Sequence, residues 1–388
     1  MQTLNYRVSF NTPAFLGNAE QNGQWRTPPF KALIRQWWRV VKAREFGYDH
    51  RRMREAEMRL FGAASDEGEA KSHRSLLRLR LSSWEEGKLH SVPRGDMVEH
   101  KEVPSKEVGA NLYLGYGPIG GVTRSAIQPV DSSSELVVRC PDESSEEIRS
   151  AMQLAAWFGT LGSRARNGWG ALHIEGESIK GFAELNVPAV AALIAPRPLV
   201  DCLKVEWLHA LGCDAGGISL IWRLLKVDKE KRQLMPFSSW QDVMRELARI
   251  KITFRTSDFF KFIGGGKDGH ITPQSRHILA YPAGSQHNVK AWGNNGRLAN
   301  QVLFNNDARA RFVATERNNG RLANQVLFKV HRHRDGFTAT IAHFPSGMPA
   351  HMTAGLQIPE QGAVWKEVHR LLDAEKLSGL SRIKGVQA

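Results

Sequence analysis

The order of strand-like and helix-like hydrophobic patterns between residues 4 and 175 is the feature that most constrains the fold of this sequence. Residues 4–11 alternate apolar and polar side chains, which is typical of a half-buried strand. Pro28 and Pro29 favour the start of a helix, because proline is well tolerated in the first helical turn. Further patterns predict a helix over 51–61 that ends at Gly62, strands at 75–84, 132–140 and 169–175, and a helix over 144–159.

Strands and helices in this order form the βαββαβ pattern of ferredoxin-like folds, here elaborated by a long, loop-rich segment over 85–125. The helix over 144–159 begins with a predicted capping box between Ser144 and Glu147 and ends in glycine. An antiparallel sheet with helices on one face also supports RNA binding of the RRM type. The predicted fold class is therefore α+β.

The chain has 388 residues, which is too long for one ordinary domain and favours two. The segment "NVPAVAALIAPRPLV" at 186–200 is the predicted connection, so the predicted domains are 1–185 and 200–388. In the second half we expect helices near 217–227, at 239–250 and at 360–375, and a β-hairpin over 326–344 with Asp335–Gly336 in its turn.

The net charge narrows the choice of partner. Lys and Arg total 53 against 39 acidic residues, which gives a net charge of +14. Such an excess attracts polyanions and favours phosphate contacts, although many basic soluble proteins bind no nucleic acid. No apolar run approaches the roughly 20 residues that span a bilayer, and the start is no secretory signal. Three scattered cysteines predict neither disulfides nor a zinc site, so we expect a cytoplasmic protein with no cofactor and no metal.

The first predicted helix combines an apolar stripe with a basic arc. Trp37 lies in the stripe and is expected in the core, whereas Lys31, Arg35, Arg39 and Lys42 are spaced four, four and three residues apart. These four cations share one face with no acid among them, and an external polyanion would relieve their repulsion. The alternative is a solvated face on an ordinary core helix.

A second candidate site is the glycine-rich segment "FGTLGSRARNGWGALHI" at 158–174. Its glycines permit positive φ and close backbone approach, and exposed N–H groups can hold a phosphate. The segment lacks a GK[ST] sequence and lies between a helix and a strand, which excludes a Walker A loop and a Rossmann fingerprint. The alternative is a tight helix–strand turn. Four glycines bracket four polar residues: Gly159, Gly162, Gly168 and Gly170 around Ser163, Arg164, Arg166 and Asn167.

An eleven-residue sequence, "NNGRLANQVLF", occurs identically at 294–304 and 318–328. An isolated pair of this length is too short for a solenoid and indicates a local tandem duplication. Only the second copy leads directly into the predicted hairpin, so we expect that copy to be the structural one.

Several stretches together resemble the RAMP superfamily of CRISPR proteins. They are "TPAFLGNAEQ" followed by "WRTPPFKALIRQWWR", the "LFG" at 60–62, "LGSRARNGWG" at 161–170, "WGNNGRLANQVLF" and "FKVHRHRDGFTATIAHFP". Within that superfamily the sequence is most similar to the family of the first-numbered subunit of type III-B Cmr effector complexes. The resemblance covers most of the chain and is strongest at 12–39 and 157–172.

The resemblance implies two ferredoxin-like (RRM-like) domains fused in one chain, with long loop insertions. It also implies a place beside other RAMP subunits, near the 3′ end of the guide RNA, where target RNA is contacted. The predicted RNA-binding residues are Lys31, Arg35, Arg39, Gly159, Gly162, Ser163, Arg164, Arg166, Asn167, Gly168, Gly170 and Arg321.

We predict binding without catalysis, with a stand-alone RAMP endoribonuclease that processes CRISPR repeat RNA as the alternative. His331 and His333 lie on one face of a predicted strand, and two imidazoles without a third ligand make a poor metal site. Glu20 is a loop carboxylate after the first strand, where cleavage chemistry could be staged, but an isolated carboxylate is more often structural.

Overall fold

The structure is a computed structural model that describes residues 1–63, 72–120, 125–228, 230–265, 269–281, 287–292, 322–374 and 379–383. Within these ranges, no helix combines the length and the apolar character needed to cross a membrane. Arg321, the first copy of the repeated eleven-mer and the start of the second copy lie outside the described residues. The described part of the second copy continues directly into a strand, as the sequence predicts.

Helices and strands are interspersed along the described parts of the chain. The α-helices are α1 Thr27–Lys42, α2 His50–Phe61, α3 Ala110–Gly115, α4 Ser145–Phe158, α5 Val187–Ala191, α6 Leu199–Cys202, α7 Trp240–Arg255, α8 Ser275–Leu279, α9 Ala350–Thr353 and α10 Gln361–Leu372. The strands are β1 Gln2–Phe10, β2 Arg78–Leu81, β3 Met97–Glu99, β4 Glu107–Gly109, β5 Tyr116–Gly117, β6 Ile119–Gly120, β7 Ser133–Cys140, β8 Leu172–Glu175, β9 Arg197–Pro198, β10 Gly212–Cys213, β11 Ile221–Leu224, β12 Lys226–Asp228, β13 Gln233–Met235, β14 Val326–His333, β15 Gly336–His343 and β16 Leu380–Arg382.

The first half contains a four-stranded sheet in the order β2-β7-β1-β8, and every neighbouring pair is antiparallel. In β1, Leu4, Tyr6 and Val8 are buried while the residues between them are exposed, as the alternating pattern predicts. Helices α1 and α4 pack against each other. Trp37 of α1 is buried as expected, and its ring lies 5.2 Å from that of Phe344.

The second half contains a four-stranded sheet in the order β14-β15-β11-β16, again antiparallel throughout. The predicted hairpin is confirmed as β14 and β15, but its two-residue loop is Arg334–Asp335, because Gly336 already pairs with His333 as the first residue of β15. The prediction of a helix near 217–227 is wrong, because Ile221–Leu224 form the inner strand β11. Three of these four residues are buried, and so short an apolar run does not distinguish a strand from a helix by its periodicity.

The two sheets use the same connection pattern. When only the strands of the two four-stranded sheets are counted, each half has a first strand, one or more helices, two further strands, one or more helices and a last strand. In each sheet the spatial order of those strands is second, third, first, fourth. The helix and strand content confirms the predicted α+β class.

The two ends of helix α4 differ in how they are capped. The predicted capping box at Ser144 is wrong, because a 3₁₀ turn at Asp142–Ser144 precedes the helix and Ser144 makes no side-chain cap. At the other end, Lys329 of β14 is buried and its Nζ donates hydrogen bonds to the carbonyl oxygens of Ala155 and Ala156, at 2.9 and 2.7 Å. A side chain from the second half thus satisfies carbonyl groups at the C-terminus of a helix in the first half.

Candidate nucleic-acid interface

The buried stripe of α1 fixes which of its side chains can reach solvent. Arg35 and Arg39 lie beside the stripe, and their side chains are 37% and 33% exposed. Both guanidinium groups donate to Glu57 of α2, whose side chain is only 2% exposed. Burial opposes ionisation of Glu57, but the hydrogen bonds and charges of Arg39 and Arg35 outweigh it and hold the pKa of this carboxyl below its ordinary value.

Lys42 is also paired inside the molecule. Its Nζ bonds to Glu45, three residues further along the chain, and lies 3.2 Å from a carboxylate oxygen of Glu147 on α4. The expectation that the basic arc has no acid among its cations is therefore wrong in the folded chain. The neutralising carboxylates come from α2, α4 and the segment after α1, so tertiary packing brings most of them to the arc.

Lys31 is the exception on α1. It makes no hydrogen bond or ion pair with any residue that the structure describes. Partial burial and the charge of Arg35 lower the pKa of its amine. Lys31 is therefore the cation of this face that an external anion could contact without first breaking an internal pair.

The glycine loop, residues 159–170, needs its glycines for two reasons. Gly162, Gly168 and Gly170 have φ angles of 95°, 92° and 59°, in the region that favours glycine. Gly159 is extended, but a Cβ there would lie 2.4 Å from the carbonyl oxygen of Ala155. These positions confirm the predicted demand for glycine and hold the loop in one path between α4 and β8.

The tip of the glycine loop faces solvent. Gly162, Ser163 and Arg164 are exposed, and Arg164 adopts a left-handed φ of 59°. Nε of Arg164 donates a 2.7 Å hydrogen bond to the carbonyl oxygen of Tyr116. This contact anchors the side chain while both terminal nitrogens of the guanidinium make no hydrogen bond to the described residues.

The second part of the loop holds the two halves together. The Arg166 guanidinium donates to the carbonyl oxygen of Asn324, and the backbone N–H of Phe328 donates to the carbonyl oxygen of Arg166 at 3.1 Å. Nδ2 of Asn167 donates to the carbonyl oxygen of Leu114 at 2.8 Å. Arg166 and Asn167 are thus tied into the fold, whereas Ser163 and Arg164 remain accessible.

Lys251 of α7 is a residue that the sequence analysis missed. It is 8% exposed, and its Nζ donates a 2.7 Å hydrogen bond to Oδ1 of Asn167. Burial, followed by the charges of Arg255 and Arg164, lowers the pKa of this amine well below its ordinary value. A lysine between Ile250 and Ile252 in the apolar part of a helix was the available signal in the sequence.

The residues considered for catalysis are placed apart from one another. His331 is buried and its Nε2 lies 2.8 Å from Oγ1 of Thr340, while His333 is half-buried near Asp335. Glu20 is exposed. Within the described ranges, no three or more His, Cys, Asp and Glu side chains come together in a group that could hold a metal ion.

No family model matches this sequence, and no curated protein matches it. The solved structures that match include Cmr1 and subunits of CRISPR complexes. Cmr1 from Pyrococcus furiosus is 13% identical with a TM-score of 0.44, and the match covers 99% of each chain.

A type III-B Cmr-beta complex bound to cognate target RNA contains a chain that is 10% identical with a TM-score of 0.45, covering 96% of this chain and 100% of that one. A type IV-B CRISPR complex matches 52% of this chain at 13% identity and a TM-score of 0.30. These structures are of the class that the sequence motifs resemble. Because every TM-score is below 0.5, the function is inferred from the chain's own motifs and geometry.

Proposed function

We propose that this chain is a non-catalytic RNA-binding subunit of a type III-B CRISPR (Cmr) ribonucleoprotein. Its partners are guide RNA, target RNA and other RAMP subunits in the cytoplasm, and it contacts RNA near the 3′ end of the guide. The observation that carries this proposal is the glycine loop, which presents Ser163 and Arg164 to solvent above the buried amine of Lys251. A hydroxyl and a guanidinium group on an exposed loop are donors of the kind that contact RNA phosphates.

We infer that each half is a ferredoxin-like domain, with 1–185 and 200–388 as the two units. The support is the connection pattern, in which strands and helices follow the order βαββαβ twice and both sheets have the strand order second, third, first, fourth. In such a pair of units, the loop before the last strand of the first unit lies where the second unit can contact it. The hydrogen bonds from Arg166 and Phe328 are contacts of this kind.

The endoribonuclease alternative requires a general acid or base within reach of a scissile phosphate. Burial lowers the pKa of His331 well below its ordinary value, and this side chain bonds to Thr340, so it is a neutral structural group. This placement favours binding over cleavage by the histidines of β14.

The salt dependence of RNA binding tests the proposed function. With labelled single-stranded RNA and the full chain in fluorescence anisotropy, log K should fall with log salt with a slope of about −0.7 for each phosphate neutralised. An affinity that is unchanged from low to high salt would contradict the proposal. Incubation with CRISPR repeat RNA, with and without a divalent metal, tests the alternative, which a product cut at one defined site would establish.

A further inference from the structure

Three cations from two parts of the chain converge where the halves meet. Arg164 belongs to the glycine loop, and Lys251 and Arg255 lie one turn apart near the end of α7. The Nζ of Lys251 bonds to Asn167, which belongs to the same loop as Arg164. We call these three residues the junction cluster.

The junction cluster has few internal partners. Lys251 bonds to a neutral amide oxygen, and its Nζ lies 5.8 Å from the centre of the Tyr113 ring. Arg255 makes no hydrogen bond or ion pair with any residue in the described ranges. Arg255 is half-buried, and this burial lowers the pKa of its guanidinium.

The carboxylate whose charge reaches Arg255 is already engaged. Both oxygens of Glu102 accept hydrogen bonds of 2.7 Å from Nη1 of Arg276, whose side chain is 9% exposed. A buried cation without a carboxylate partner, such as Lys251, does not stabilise a fold, and groups of this kind are concentrated at functional sites. The junction cluster is therefore better suited to receive an anion than to stabilise the empty fold.

The geometry around Arg164 leaves room for such an anion. Among the described residues, Arg164 has one hydrogen-bond partner, the carbonyl oxygen of Tyr116, which uses Nε and leaves the two terminal nitrogens to donate elsewhere. Gly117 has a φ of 109°, and a Cβ at this position would lie 3.7 Å from Nη2 of Arg164. A glycine here keeps side-chain atoms away from the guanidinium.

We propose that Arg164, Lys251 and Arg255 form a phosphate-binding subsite at the junction of the two halves, and that an RNA backbone phosphate occupies it. The proposal deepens the proposed function and rests on it for the source of the phosphate. The chemistry itself is that of a tetrahedral oxyanion held by two guanidinium groups and one ammonium group. The subsite adds α7 of the second half to the predicted RNA interface.

The first test replaces Lys251 by methionine, which keeps the length of the side chain and removes its charge. We expect Lys251→Met to lower RNA affinity roughly 10- to 100-fold, as loss of a charge-assisted hydrogen bond does, and to make the salt slope shallower by about 0.7. The melting temperature should stay the same or rise, because a buried charge has been removed. A lower melting temperature with unchanged affinity would show that Lys251 only supports the fold, and would overturn the proposal.

The second test uses Arg255→Gln, with Arg249→Gln as its matched control. Both changes remove one positive charge from α7, but Arg249 is 53% exposed and is paired with Glu246. Arg255→Gln should lose about as much RNA affinity as Lys251→Met, whereas Arg249→Gln should lose less than about threefold. Equal RNA affinities for the two variants would contradict the proposed subsite, but they would not contradict the proposed function.

A third arm separates the subsite from RNA binding. If the wild-type chain bound no RNA, the proposed function would fail, and inorganic phosphate would become the probe. A rise in the melting temperature with phosphate for the wild type, absent for Arg255→Gln, would then support a phosphate site with another source of phosphate. No rise in either chain would overturn the subsite as well.

Discussion

Two regions of the molecule each bring several cations close together: the basic face of α1, formed by Lys31, Arg35, Arg39 and Lys42, and the junction cluster. On α1, the buried carboxylate of Glu57 and the carboxylates near Lys42 neutralise three of the four cations. In the junction cluster, the described residues provide one amide oxygen and one carbonyl oxygen. The more conspicuous basic region in the sequence is thus the one that the fold has neutralised, and the less conspicuous one retains unpaired charge.

Acid should leave the ion pairs of α1 intact while it destabilises the parts of the fold that bury histidines. The pKa of Glu57 is held below its ordinary value, so the pairs of α1 persist at pH 5. Burial lowers the pKa of His209 and His277 to about 4 and that of His369 to about 3, from 6.5. Because their folded pKa values lie below the unfolded value, the unfolded chain binds more protons at these positions and stability falls as the pH drops below about 6.5.

By pH 5 each of these three histidines should lower the free energy of unfolding by on the order of 1–2 kcal/mol. Urea unfolding at pH 7 and pH 5 measures the total, and hydrogen exchange locates it. Amides of α8 and α10 should gain exchange before those of α1. Equal stability at the two pH values, or earlier exchange in α1, would show that the buried histidines do not govern the acid response.

Glu57→Gln should remove the neutralisation that distinguishes α1 from the junction cluster. The variant leaves Arg35 and Arg39 without a carboxylate and should lower the free energy of unfolding by about 2 kcal/mol, less than for a fully buried pair because both arginines are about one-third exposed. Glu55→Gln on the exposed side of α2 is the control and should be nearly neutral. RNA affinity of Glu57→Gln should hold or increase, since two guanidinium groups become available. A lower RNA affinity with an unchanged free energy of unfolding would contradict this prediction.

Lys31→Ala should have a smaller effect than either acid or Glu57→Gln. Lys31 has no partner among the described residues, so its loss should change the melting temperature by less than about 2 °C and RNA affinity by about two- to fivefold. Thermal melts and the RNA titration, with Ala32→Ser at the exposed neighbour as control, measure both quantities. A large affinity loss here and none for Arg255→Gln would reverse the comparison and place the RNA contact on α1.

Elements whose signal lies in local periodicity could be predicted from the sequence. The alternation in β1, the stripe of α1 and the hairpin of β14 and β15 are each decided within one short stretch of the chain, and the structure confirms all three. Strand β11 could not be predicted, because its four residues become a strand by pairing with β15, more than a hundred residues later. Pairing partners at that separation leave no local pattern.

In the candidate site, too, features with a local signal could be predicted from the sequence, and features that depend on tertiary packing could not. The glycine positions were predictable, because the demand for positive φ is a property of the local backbone. The pairing of Glu57 with Arg35 and Arg39 depends on how α2 packs on α1, and the burial of Lys251 depends on how the second half covers the glycine loop. Counting cations on one helical face therefore overestimated the charge that α1 offers to RNA.

The amine of Lys329, which completes the end of α4 from the opposite half, has a consequence for how the chain can be divided. A fragment that stops after residue 185 would leave the carbonyl oxygens of Ala155 and Ala156 without this donor, and a fragment that starts at residue 200 would carry a lysine with nothing to receive its hydrogen bonds. Trp37 would also lose the edge contact with Phe344. We therefore expect the two halves to melt together in a single cooperative transition, and neither to be obtained as a well-folded fragment by cutting at the connection.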